Sequence, residues 1–358
     1  MINENPFSLN YTPDHFCDRE KELNQLQTNF FNGLNTVIHS PRRLGKSAVI
    51  KHLFHQLENE RLVETIYVDL YASQNMQDLI QMLAEIVLKK FHQKNFIAGL
   101  QQILKGLSPT VSFDRNGTPS FILQINAQQY QTSLEQIFGY LEQKNKKVLV
   151  AFDEFQEVAT YPDKAEAILR THIQNLSNVK FIFSGSLGAK RPFYQGAEVI
   201  VLDKIDREVY KQFIITTFEN QKKSITPEAA DYLLDFSDVY TYYTQLICNQ
   251  CFSQKDKLLT VDMAQQIAAN YLESRKFDYE NIINLMTENQ RKLTIALAKE
   301  GAVLKPNAME FLSKHKLSGA SSVNQALKVL LEKQIFFQST EGIKVYDVFF
   351  RRYLEQYF

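Results

Sequence analysis

The chain has 358 residues, room for two or three domains at about 150 residues each. Its 40 Lys/Arg balance 40 Asp/Glu, which excludes attraction of the whole surface to nucleic acid or membrane and leaves only local charged faces. Three cysteines, Cys17, Cys248 and Cys251, are too few for a disulfide scaffold. No apolar run reaches the roughly 18 residues a membrane span needs. The opening MINENPFSLNYTPDHF has neither the basic nor the apolar region of a secretory signal. A cytoplasmic protein without a membrane partner is expected.

The first two hundred residues alternate strand and helix patterns. Short β-rich or apolar runs at 35–39, 65–70, 148–152, 180–184 and 199–202 read as strands. Between them lie helical stripes such as Val49, Leu53, Leu57 and Leu79, Leu83, Ile86, Val87. Strands joined through helices imply right-handed crossovers and a parallel sheet with both faces covered. Residues 109–126 interrupt the alternation with two β-like runs around Asn116-Gly117, a hairpin signal. After about residue 205 the strand patterns stop. Helices are expected at 206–220, 226–236, 238–254 and 260–275, an all-α domain. From 281 onward, helices at 287–299, 306–314 and 321–333 precede two strand-like runs at 335–338 and 343–346. That is the order of a winged helix-turn-helix, closed by a helix at 349–357. The expected domains are 1–204, 205–280 and 281–358.

The chemistry concentrates in three places. Ser40-Pro41-Arg42-Arg43-Leu44-Gly45-Lys46-Ser47-Ala48 nearly matches the phosphate-binding loop G-x-x-x-x-G-K-[ST], with a strand before it and a helix after it. Backbone N–H groups at such a helix N-terminus face an anion. Lys46 supplies a cation for the β- and γ-phosphates, and the Ser47 hydroxyl a ligand for Mg²⁺. The departure is Ser40 in place of glycine, acceptable if its φ stays negative. The second place is the apolar strand ending in Asp153-Glu154. Asp153 would hold Mg²⁺ through its water shell, and Glu154 would orient or deprotonate a water. The third is Ser184-Gly185-Ser186 at the next strand end, where a hydroxyl could meet the γ-phosphate or the water. An ordinary Ser-Gly turn is the competing reading there.

Several segments together resemble the archaeal-type ATPase family, within the STAND and origin-recognition-like branch of the AAA+ P-loop NTPases. These are Asn5-Pro6-Phe7, Phe16-Cys17-Asp18-Arg19-Glu20-Lys21-Glu22-Leu23, the Pro41-Arg42-Arg43-Leu44-Gly45-Lys46-Ser47 loop, Phe152-Asp153-Glu154-Phe155-Gln156 and Ser184-Gly185-Ser186. The resemblance spans essentially the whole chain. It implies a P-loop NTPase parallel sheet with helices on both faces, an all-α lid and a winged helix. It also implies ATP/ADP and Mg²⁺ as cofactors, and a nucleotide-controlled switch. By resemblance alone, Asn5, Pro6 and Arg19 flank the adenine or cover the site. The sequence departs from the family at the lid turn, where Asp238-Val239-Tyr240-Thr241 replaces Gly-Gly-[His/Tyr]-Pro, and in a short segment at 186–195. Arg191 in that segment is a candidate arginine finger for a neighbouring subunit, with a solvated arginine as the competing reading.

Residues 286–358 carry 11 Lys/Arg against 7 Asp/Glu, a mild basic bias. Ser321, Ser322, Asn324, Gln325 and Lys328 lie on or near the helix that would read a groove. Duplex DNA and a protein are both candidate partners of this module, and a nucleotide-dependent homo-oligomer is a third association. Cys248-x-x-Cys251 falls inside a helical pattern without nearby histidine, so buried thiols are expected rather than a metal site. A nucleotide-stabilised adaptor, or a DNA-binding regulator with little turnover, stands beside the ATPase reading.

Overall fold

The computed structural model describes residues 5–61, 63–92, 96–104, 110–113, 119–162, 164–186 and 196–358. It contains two compact units. One is Asp18–Asp203; the other is Lys204–Phe358 with the described part of the first 17 residues.

The first unit runs α1 (Glu20–Phe31), β1 (Asn35–Ser40), α2 (Lys46–Asn59), β2 (Val63–Asp69), α3 (Met76–Phe91), α4 (Phe96–Ile103), β3 (Thr110–Phe113), β4 (Pro119–Ile122), α5 (Ala127–Glu142), β5 (Lys147–Asp153), α6 (Ala165–Ile173), β6 (Val179–Ser186) and β7 (Ala197–Val201). A 3₁₀ turn, Phe155–Thr160, follows β5. Five strands form one sheet in the order β2-β5-β6-β1-β7, with every neighbouring pair parallel. The expected parallel sheet is present, and β3 and β4 pair antiparallel as the separate hairpin. Its Asn116-Gly117 turn lies outside the described residues.

Strand periodicity divides the sheet's side chains between two faces. Val148, Val150 and Phe152 of β5, with Phe181 and Phe183 of β6, join the core made with α3, α5 and α6. Phe152, Phe181 and Phe183 lie nearly parallel, with centroids 5.9–6.1 Å apart. This aromatic ladder braces the two strands just before Asp153 and Ser184, which alternation sends to the opposite face. Helix α5 is fixed by a capping box from Asn126 and Gln129.

The second unit runs α7 (Arg207–Asn220), β8 (Ser224–Ile225), α8 (Pro227–Phe236), α9 (Thr241–Phe252), β9 (Leu258–Leu259), α10 (Val261–Ser274), α11 (Lys276–Asn284), α12 (Glu288–Glu300), α13 (Met309–Lys314), α14 (Ala320–Glu332), β10 (Phe336–Ser339), β11 (Gly342–Val345) and α15 (Val348–Tyr357). Its α12-α13-α14-β10-β11 order is the expected winged helix. Val303 adds a rung to the wing through paired backbone bonds with Ile343.

Lid and winged helix share one core and pack as one compact unit. The N-terminal segment belongs to that unit, because the buried Phe7 ring packs against Phe218 and Phe252 at 5.4 and 6.0 Å. The lid is not wholly helical: Ser224–Ile225 and Leu258–Leu259 form a short parallel pair. The helix expected from 238 starts at Thr241, because Asp238 and Val239 both take left-handed φ, 52° and 57°. Arg351 Nη2 lies 2.7 Å from Asp238 Oδ1, and Arg352 donates to Phe236 O at 3.1 Å, so α15 grips this turn.

Candidate nucleotide site

The phosphate loop leaves β1 at the carboxyl edge of the sheet. There β1 lies between β6 and β7, and open α/β sheets take their ligands outside the carboxyl ends of their strands. Ser40 is still extended strand, paired with Ser186, and its hydroxyl donates to Pro41 O at 2.8 Å. Serine is therefore accommodated at this position; the left-handed turns fall at Arg43 (φ 71°) and Gly45 (φ 91°). Gly45 caps α2, and Lys46, Ser47 and Ala48 form its first turn, with their N–H groups at the helix's positive end.

Lys46 is buried, 5% exposed. Burial pushes its ammonium below the usual value, opposed by the nearby carboxylates of Glu154 and Asp153. Among the described residues Nζ makes one long hydrogen bond, 3.4 Å to Pro41 O, which leaves two of three donors for another acceptor. Burial, then the charge of Lys46, pushes His39 down as well.

Asp153, 2% exposed, gathers the site. Ser47 Oγ and Tyr67 Oη each donate to its Oδ2 at 2.5 Å, and Glu154 N donates to Oδ1 at 3.0 Å. Glu154 turns the chain out of β5 with a left-handed φ of 53°. Its Oε2 accepts a bond from Gln156 Nε2. A Cβ on Gly185 would lie 3.1 Å from Gln156 Oε1, so the β6 end is shaped around this amide. Ser184 Oγ is fully buried and has no hydrogen-bond partner among the described residues.

An ATP phosphate chain and Mg²⁺ fit this donor set. Among the described residues the buried ammonium has unused donors and the Ser184 hydroxyl lacks an acceptor. Ser47 with Asp153 offers the hard oxygen pair that Mg²⁺ prefers when phosphates complete its shell. Lys46, Ser47, Asp153 and Glu154 are thus brought together. Ser184 stands at the same strand edge, on the strand between β1 and β5.

Asn5 and Pro6, expected by resemblance to flank the adenine, fold with the helical unit. Asn5 Nδ2 donates to Asn249 O and Ser253 Oγ, both at 3.0 Å, and clasps the segment to α9. Arg19 is buried in the first unit. Its guanidinium is held by Asp203 O at 2.6 Å and Glu22 Oε1 at 3.2 Å, tying the start of α1 to the exit from the sheet. Arg191 and the short segment after Ser186 lie outside the described residues. Sequence reasoning missed Tyr67 and assigned Gln156 no role. Only strand order shows that Tyr67 reaches Asp153, whereas Gln156 was visible two residues after Glu154. Cys248 and Cys251 are buried in α9, as expected. Burial pushes both thiols up, Cys251 to about 12, and no cluster of metal-binding side chains occurs among the described residues. Among those residues no helix is long and apolar enough to cross a membrane.

Comparison with known proteins shows the family and the fold. Residues 16–243 match the family described as an ATPase domain predominantly from Archaea, and residues 277–356 a probable winged helix domain. An uncharacterized ATP-binding protein of Methanocaldococcus jannaschii is 21% identical over 334 residues, covering 87% of this chain and 93% of that protein. The Walker-type ATPase of Pyrococcus abyssi shares the fold with a TM-score of 0.64 at 16% identity, covering 98% of this chain and 99% of the other. The Aeropyrum pernix ORC2 protein, in ADPNP–ADP complexes, gives 0.58 at 13% identity, covering 99% and 97%. The ORC1 protein of that organism, in complex with DNA, gives 0.54 at 12%, covering 99% and 97%.

Proposed function

The chain belongs to the ATPase family found predominantly in Archaea, and from that premise we propose that it is a Mg²⁺-dependent ATP hydrolase whose nucleotide state acts as a switch. The observation that carries this reading is the cluster of Lys46, Ser47, Asp153 and Glu154 at one strand edge. In this reading Lys46 and the loop amides hold the phosphates. Ser47 and Asp153 hold Mg²⁺, which when bound offsets charge on the phosphate oxygens. Glu154 accepts the proton of the attacking water or orients it, and its bond from Gln156 sets where that carboxylate points. Ser184 donates its hydroxyl to the γ-phosphate or to the water.

The test is ATP turnover with and without Mg²⁺, wild type against Glu154→Gln. Loss of a general base costs on the order of 10²–10⁴-fold, while nucleotide binding persists. Turnover without Mg²⁺, or an unaffected Glu154→Gln, refutes the assignment. If neither protein turns over yet both bind nucleotide, the adaptor reading replaces the hydrolase.

The winged helix supports a second element, coupling of the switch to duplex DNA. On α14, Ser321, Asn324, Gln325 and Lys328 are all exposed and repeat at helical spacing, forming one polar face opposite buried Val323, Leu327 and Leu330. Binding to duplex DNA that falls steeply with salt supports this coupling. Absence of such binding in every nucleotide state points to a protein partner. Nucleotide-dependent self-association, with Arg191 as a finger in trans, predicts specific turnover that rises with protein concentration.

A further inference from the structure

Asp153 of the candidate site meets a residue on a neighbouring strand. Tyr67 pairs with Ala151, and Asp69 pairs with Asp153. Tyr67 is therefore the diagonal neighbour of Asp153 on the same face of the sheet, a separation that a long aromatic side chain spans. Its ring is held beneath the Lys51 ammonium of α2, 5.0 Å from the centroid. Its hydroxyl ends 2.5 Å from Asp153 Oδ2.

We propose that Tyr67 is a positioning residue that fixes the Asp153 carboxylate for Mg²⁺; this rests on the nucleotide-site reading above. A carboxylate oxygen offers about two hydrogen-bonding directions. On Oδ2 both are taken, by Ser47 and Tyr67. On Oδ1 one is taken, by Glu154 N. Among the described residues the carboxylate is pinned at three points and presents one remaining direction, on Oδ1. Because Ser47 donates its only proton to Oδ2, its own lone pairs are aimed away from Asp153, and the Tyr67 hydroxyl lies within hydrogen-bonding reach of the Ser47 oxygen as well. Removing the Tyr67 hydroxyl frees one direction on Oδ2 and lets the carboxylate rotate. Both the acceptor for a metal-bound water and the aim of Ser47 then become less defined. Groups that orient metal ligands in this way typically change metal affinity by about ten- to a hundredfold when removed.

The experiment measures binding of a fluorescent, non-hydrolysable ATP analogue to the full chain, in EDTA and across a Mg²⁺ titration. Tyr67→Phe keeps the ring and its packing. Its affinity in EDTA should match wild type, which also reports an intact phosphate loop. Its half-saturating Mg²⁺ should rise about tenfold. In an Asp153→Asn background the same substitution should add no further shift, because Tyr67 acts through that carboxylate. A wild-type Mg²⁺ response in Tyr67→Phe overturns the proposal, as does an effect that persists with Asp153→Asn. Binding that Mg²⁺ fails to strengthen even in wild type overturns the metal reading and this proposal together. A failure confined to Tyr67→Phe leaves the metal reading standing.

Discussion

Replacing Ser184 with alanine is expected to make the ligand-free protein more stable and the nucleotide-bound protein relatively weaker. The Ser184 hydroxyl is fully buried and without a hydrogen-bond partner among the described residues. A buried polar group left unpaired costs about 1–3 kcal/mol. Alanine removes that cost and leaves a gap of one oxygen, whose lost dispersion contacts amount to a few tenths of a kcal/mol. The net gain is about 1 kcal/mol, or about 2–4 °C in Tm for a unit of this size. The assay is urea and thermal unfolding of wild type and Ser184→Ala, each without ligand and with a saturating Mg²⁺–ATP analogue. Ligand stabilisation should be smaller in the variant, since the hydroxyl is then absent when an acceptor arrives. A ligand-free variant no more stable than wild type would refute the reasoning, because the hydroxyl would then have a partner in the free protein.

Two further substitutions probe the helical unit. Gly342 has φ 129°, and a Cβ there would lie 2.5 Å from the Val303 carbonyl carbon. Gly342→Ala should therefore cost at least about 3 kcal/mol through strain and the displaced Val303 rung, seen as a lower unfolding midpoint and lost hydrogen-exchange protection at Ile343. Arg352 donates to Phe236 O and Asp235 O and lies 3.2 Å from Asp238 Oδ1. Arg352→Ala should cost about 1–2 kcal/mol after allowing for its partial exposure, read as a lower urea midpoint at an unchanged m-value. No loss would mean the two left-handed residues of that turn hold their conformation without Arg352.

Much of the molecule is legible along the chain because its signals are local. The five sheet strands announce themselves as short apolar or β-branched runs. The Gly45-Lys46-Ser47 turn needs only neighbouring residues to form a helix N-terminus. The winged helix follows from element order. Asp153 and Glu154 stand out in the sequence as two acids at the end of an apolar strand, and the structure places them beside Ser47 and Lys46. What the chain order conceals is which strand lies beside which. That β1 sits between β6 and β7, with β5 beside β2, is settled by how helices cover both faces of the sheet. Only that order brings Tyr67 to Asp153 across 86 positions of sequence. The same holds for the N-terminal segment. Asn5-Pro6-Phe7 reads as part of the nucleotide domain, yet burying Phe7 between Phe218 and Phe252 carries it into the helical unit. Sequence by itself determined the inventory of elements and the phosphate-loop chemistry, since both rest on contacts a few residues apart. Tertiary structure alone decided strand order, the partners of Asp153 and the orphaned Ser184 hydroxyl, because each depends on groups that meet only when distant segments pack.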